Sequence, residues 1–150
     1  KDTIVYGSCD AGQTVHASDP KFHQLMKDCA GKLNIKEHVV GKGKERKLLY
    51  CGGDVEGHRG TDGKYYMLDF SRTFPPAKPN LNFMNGHLYQ LLRPEFVKHF
   101  GVPLCPDAYS GFISEDVAKK EHNREVSLAT QYLLDSVVPL LARSLDVELA

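Results

Sequence analysis

The sequence is short of the signals that most often announce a chemistry. Its formal net charge is zero, with 19 basic against 19 acidic side chains. It therefore lacks the cationic excess of a protein that coats nucleic acid, and only a local basic patch stays open. Its four cysteines, Cys9, Cys29, Cys51 and Cys105, include no C-x-x-C pair and match no zinc spacing. Seven histidines lie scattered at 16, 23, 38, 58, 87, 99 and 122, without H-E-x-x-H or any pair four apart; most are expected to be surface or capping residues. No apolar run reaches the roughly 20 residues of a membrane span, so no membrane insertion is expected, and no signal-peptide pattern opens the chain. Free, buried thiols in a reducing cytosol are the expected state, with Cys29 on an apolar helix face and Cys51 behind a strand. No internal repeat, low-complexity tract or second domain interrupts the 150 residues, so a single domain over 1–150 is expected. Its abrupt strand-like start is expected to mark a boundary inside a longer protein.

What the sequence does have is concentrated in Gly60–Pro76, GTDGKYYMLDFSRTFPP. Asp62 and Gly63 supply turn chemistry, a side-chain acceptor followed by a residue that tolerates positive φ. Lys64 to Phe70 is the clearest strand, with Tyr66, Leu68 and Phe70 on one face and Tyr65, Met67 and Asp69 on the other. Pro75 and Pro76 end any ladder. Asp69 needs a donor or a cation if buried, and Arg72 is the nearest, so a structural Asp69–Arg72 pair or a turn bond is expected.

Elsewhere, Thr3–Tyr6 reads as a short strand followed by a small-residue loop containing Gly7, Ser8, Asp10 and Gly12. The loop lacks the Walker and G-x-G-x-x-G patterns, which favours a structural turn closed by Ser8 or Asp10 over a phosphate cradle. Asp19 and Pro20 open a helix whose stripe is Phe22, Leu25, Met26, Cys29 and Leu33. Residues 37–40 and 46–50 read as a hairpin carrying the one basic cluster, Lys36, Lys42, Lys44, Arg46 and Lys47, either a solvated tip or a phosphate-contacting patch. In Cys51–Gly60, Asp54, Glu56 and His58 share a face if extended and are the one candidate metal set, although the glycines at 52, 53, 57 and 60 make a regular strand doubtful. Helical stretches are expected at Leu88–Arg93, at Pro94–Phe100, and from a Ser114 cap to about Val138, with Pro139 breaking the last and Leu140–Leu145 continuing it.

Together VYGSCDAGQTV (Val5–Val15), GTDGKYYMLDFSRTFPP and LLRPEFVKHF (Leu91–Phe100) resemble the CLU domain, the central domain of the clustered-mitochondria proteins, also labelled an initiation-factor-3-associated subunit. The resemblance spans residues 3–145 and implies a cytoplasmic protein needed for normal mitochondrial distribution. Larger members bind messenger RNAs for mitochondrial proteins and carry helical repeats downstream. It supplies no catalytic residues. The motif positions it carries over are Gly7, Ser8, Asp10 and Gly12, then Gly60, Asp62, Gly63, Tyr66, Asp69 and Arg72, with His58 a further candidate ligand residue.

The resulting expectation is an α+β fold: a mainly antiparallel sheet from residues 3–7, 36–40, 46–50 and 64–70, helices packed on it, and a long C-terminal helix broken near Pro139. Its function would be non-catalytic binding or scaffolding, without cofactor or metal. Protein partners are expected, with messenger RNA a further partner met by the basic hairpin through phosphates. Two rivals remain. A phosphotransferase-like enzyme or relic would use Asp54, His58 and Asp69, whose run loosely resembles kinase-like loops. A purely structural docking domain would expose the Leu and Val surplus at 133–145. The first strand could also act as an edge that pairs between chains.

Overall fold

The computed structural model describes residues 3–148. Four short strands form one antiparallel sheet: β1 (Ile4–Gly7), β2 (His16–Ala17), β5 (Glu56–Arg59) and β6 (Tyr65–Leu68), in the order β2-β1-β5-β6. The basic hairpin, β3 (His38–Val40) and β4 (Lys47–Leu49), is a separate two-stranded sheet rather than part of the main one. Its place beside β1 is taken by β5, which arises from the glycine-rich stretch. A Cβ at Gly57 would lie 2.5 Å from Phe22 Cε1 and 2.9 Å from Tyr6 Cβ. The residue that seemed to weaken the strand is what lets Phe22 seat against it. With β2 and β5 on either side, β1 is interior and is no edge for pairing between chains.

The helix α1 (Pro20–Leu33) starts as its sequence dictates. Asp19 accepts from the amides of Lys21 and Phe22, Pro20 takes the first turn, and Asn34 ends the helix in the left-handed region. Its buried row is Phe22, Met26 and Ala30. Leu25 and Cys29 are exposed, so the stripe is wider than the sheet it covers, and Cys29, like Cys9 in the first loop, is not the buried thiol expected. Cys51 and Cys105 are buried and all four thiols are free.

Of the stretch 88–93, only Leu88 is in a helical turn, and residues 89–93 are not helical. A 3-10 turn at Gly86–Leu88 leads into extended chain, where Ala77 N–H donates to Gln90 O and Leu92 N–H to Pro75 O, so the two proline-flanked segments pair with each other. The helix α2 (Pro94–His99) follows. Ser114 caps no helix either. Asp116 is drawn inward, Val117 is 99% exposed, and α3 (Lys119–Tyr132) begins after a series of turns. The break at Pro139 takes the form of a π-helical segment, Leu133–Val137, leading directly into α4 (Val138–Glu148). Widening the turn accommodates the missing proline N–H without ending the helix. No helix among the described residues is long and apolar enough to cross a membrane.

Candidate functional site

The densest group of ionisable side chains lies where the loop after α2 passes under the hairpin and the end of the central motif. Asp107 is fully buried there. Its Oδ2 accepts from the Gly53 amide at 2.7 Å and from His38 Nε2 at 2.9 Å, and its Oδ1 accepts from Arg72 Nη2 at 3.1 Å. Arg72 Nε donates to Asp54 Oδ2 at 2.7 Å, and its guanidinium lies 5.1 Å from the centre of the Phe112 ring. The other nitrogen of His38 faces the Lys36 carbonyl at 3.1 Å. Both ring nitrogens thus meet acceptors, an arrangement that suits imidazolium. Burial opposes a charge on His38, but the neighbouring Cys105 and Asp107 outweigh it and raise its pKa well above the usual value. Burial likewise works to raise Asp107, but His38, Arg72 and the Gly53 amide hold its carboxyl below the ordinary carboxylate value. Two cations and two carboxylates neutralise each other inside the fold.

A second arm adjoins it. Asp116 accepts from the amides of Val39 and Ala118, each at 2.7 Å, and from His122 Nε2 at 3.3 Å. The His122 and His38 rings are 6.3 Å apart. Burial is the main cause holding the His122 pKa below the usual imidazole value, helped by the charges of His38 and Lys36 against the pull of Asp116. The two histidines therefore act oppositely on stability. His122, depressed in the fold, adds stability above about pH 6.5 that is lost as pH falls below it. His38, raised in the fold, adds stability below about pH 6.5 that is lost as pH rises through its folded pKa. His122→Gln should flatten the loss of thermal stability between about pH 6.5 and 5, leaving a smaller slope from His87, which burial also depresses. Melting curves across that window check it.

The structure separates the residues singled out in the sequence. In the first loop, Ser8 Oγ accepts from Gly12 N–H at 2.9 Å and donates to Asp10 Oδ1, which accepts from Thr14 N–H at 2.8 Å. These donors are spent within the turn. Asp62 accepts from the Lys64 amide and from Tyr66 Oη, and Gly63 takes φ +78°. Asp69 does not pair with Arg72. It lies past the end of β6 at φ 57° and accepts from Ser71 Oγ at 2.8 Å, a turn bond, while Arg72 turns inward to Asp54 and the buried Asp107. Glu56 and His58 meet at 3.1 Å on β5, and His58 also contacts Thr3 Oγ1. Asp54 precedes that strand and is held by Arg72 instead, so the Asp54–Glu56–His58 set is not assembled. Among the described residues no three His, Cys, Asp or Glu side chains converge to hold a metal. In the hairpin, Lys36 is paired with Glu125, and Arg46 bonds the Gly43 carbonyl and lies 4.0 Å from Glu115. Lys42, Lys44 and Lys47 are exposed and form no ion pair among the described residues.

Sequence reasoning missed His38, Asp107, Asp116 and His122. Two carried a signal. His122 shares the buried row of α3 with Val126 and Ala129 at i, i+4 and i+7, and His38 shares the inward face of β3 with Val40.

An α+β module braced by a largely buried ionic network is the class these features define. The family model for Clustered mitochondria (CLU) matches residues 1–79. A clustered mitochondria protein homolog from Xenopus tropicalis is 31% identical over 139 residues, covering 92% of this chain and 9% of that protein. One from Caenorhabditis elegans is 41% identical over 80 residues, 51% of this chain and 6% of that protein. The protein clueless of Drosophila persimilis is 36% identical over 85 residues, 56% of this chain and 6% of that protein. The chain belongs to the clustered mitochondria family, and it spans less than a tenth of the length of these relatives. No solved structure matches it.

Proposed function

We propose that this chain is a non-catalytic docking module of a clustered mitochondria protein, working in the cytoplasm among proteins that set mitochondrial distribution. One observation carries this reading: the centre of the ionisable network, Asp107 with His38 and Arg72, is buried and bonded to itself, while bulky apolar side chains stand on the surface. Arg72 and His38 are buried and both spend donors on the buried Asp107. Outside, Phe70 is 57% exposed and Met84 85% exposed, with Leu68, Leu81 and Phe83 also open, a surface that a partner would cover. Four free thiols suit a reducing compartment. Cells lacking the protein and supplied with the full-length chain test the reading. Leu81→Ser/Phe83→Ser/Met84→Ser should fail to restore mitochondrial distribution with the fold intact, whereas His58→Gln/Asp69→Asn should restore it. The reverse pattern would favour the phosphotransferase alternative.

A second reading rests on Lys42, Lys44 and Lys47, which are free to meet RNA phosphates. Anisotropy of a labelled single-stranded RNA, repeated across salt concentrations, should show binding whose slope of log K against log salt falls by about 2 in Lys42→Glu/Lys44→Glu/Lys47→Glu. Unchanged binding in that variant removes the hairpin as an RNA contact.

A further inference from the structure

The open edge of the main sheet and the uncovered flank of α1 lie side by side. Tyr66 stands opposite His58 and Leu68 opposite Glu56, and the ladder continues in the bond from Gly60 N–H to the Lys64 carbonyl. That register turns the Lys64 carbonyl and the amides of Tyr66 and Leu68 toward β5. The N–H and C=O groups of Tyr65 and Met67 therefore point outward, and they meet no partner among the described residues.

Helix α1 runs beside this edge in the same direction. Phe22 packs edge-on against Tyr65 at 5.2 Å, and Lys21 Nζ lies 5.9 Å from the centre of the Tyr65 ring. Further along, Met26, Cys29 and Leu33 line a cavity of about 140 Å³ together with Met67 and Phe70. Of these five, Cys29 and Phe70 are exposed and form its rim. The volume is close to the ~150 Å³ that holds one benzene ring, so it takes one leucine- or phenyl-sized group. The exposed row Lys21, Leu25, Cys29, Lys32 follows helical spacing and places a lysine beyond each end of the apolar pair. Neither lysine forms an ion pair among the described residues, and the one acid of α1, Asp28, is held by Gln24. From Lys21 to Lys32 the helix rises about 16 Å, and strand residues i and i+4 stand about 13 Å apart, a difference that the two long lysine side chains span.

We propose that β6 and α1 together hold an extended acidic peptide segment of a protein partner, added to the sheet as a fifth strand. Its backbone bonds the Tyr65 and Met67 edge. Residues i, i+2 and i+4 face α1, since side chains alternate at period two. The central one is aliphatic and enters the cavity, and the outer two are acids that meet Lys21 and Lys32. This rests on the docking reading and names the partner chemistry at one surface of it.

The test uses the labelled peptide Val-Glu-Val-Leu-Thr-Glu-Thr with the whole chain. Saturable anisotropy is expected, with the Tyr65 and Met67 amides gaining protection from hydrogen exchange. Lys21→Glu/Lys32→Glu should weaken binding about tenfold, and a peptide with lysines in place of its two glutamates should then bind that variant better than the wild type. Cys29→Trp, which fills the rim from an exposed position, should abolish binding while leaving the melting temperature near wild type. No binding at millimolar peptide, or binding indifferent to all these changes, overturns the proposal. So does a concentration-dependent dimer that protects the same amides without peptide, because a second copy then fills the edge. If the peptide fails while the 81–84 surface variant still abolishes function in cells, this groove falls and the docking reading stands.

Discussion

Asp107→Ala should cost the fold about 3–5 kcal/mol, the range for breaking a buried ion pair from one side. The carboxylate is fully buried, and it is the shared acceptor for Arg72, His38 and the Gly53 amide. Deleting it leaves three donors facing no oxygen, two of them on cations, while Arg72 keeps only Asp54. Since domains of this size are stable by about 5–15 kcal/mol, a large part of the margin disappears. The readout is the urea midpoint at unchanged slope. Asp107→Asn keeps the shape and one acceptor oxygen and should lose less. In that variant burial acts on His38 without the opposing carboxylate, so its pKa should fall, which an NMR titration of the ring follows. A loss below about 1 kcal/mol in the alanine variant, the scale of an ordinary exposed ion pair, would mean that the network braces nothing. In the wild type the depressed Asp107 adds stability above the ordinary aspartate pKa of about 3.9 and loses it as pH falls through the folded value. The Asp107 share of the loss in acid should therefore lie below about pH 4, beneath the histidine slope.

The parts of this fold written in local chemistry were readable. Asp19 and Pro20 announce α1, the alternation at 64–70 announces β6, and the hairpin at 37–50 needs only its glycines and branched residues. What could not be read depends on partners far along the chain. Asp107 is 35 residues from Arg72 and 69 from His38, and no periodicity links loop residues across such distances. Arg72 and Asp69 are neighbours in sequence, but the left-handed turn at Asp69 carries the two apart. The glycines around β5 argue against a strand when read locally, because the need for one of them lies on another element, in the Phe22 ring. The stripe on α1 is apolar throughout, but only part of it is buried. Four strands and their loops cover Phe22, Met26 and Ala30 and leave Leu25 and Cys29 in solvent. That mismatch between an apolar pattern and what the described fold buries is itself the pointer to the α1–β6 groove.

Gly7→Ala should be the most costly glycine substitution in the motif, about 2–4 kcal/mol when backbone strain and overpacking are taken together. Gly7 ends β1 at φ +82°, a region an L side chain enters only at a cost of about 1 kcal/mol. The greater part comes from space. A Cβ there would lie within contact distance of the Val55 carbonyl oxygen and 2.9 Å from its carbon. Backbone cannot rotate away as a side chain can, so β1 must part from the chain entering β5. That entry carries Gly53 to Asp107 and Asp54 to Arg72, and the displacement should reach the buried network and lower the His38 pKa with the stability. Gly63 supplies the control. Its φ is +78°, nearly the same, and a Cβ there meets nothing within 4 Å. Gly63→Ala should therefore cost only the conformational part, about 1 kcal/mol. Urea unfolding of the two variants separates the causes. A loss at Gly7 several times that at Gly63 assigns the cost to the close passage of β1 and Val55, and equal losses would assign it to backbone conformation alone.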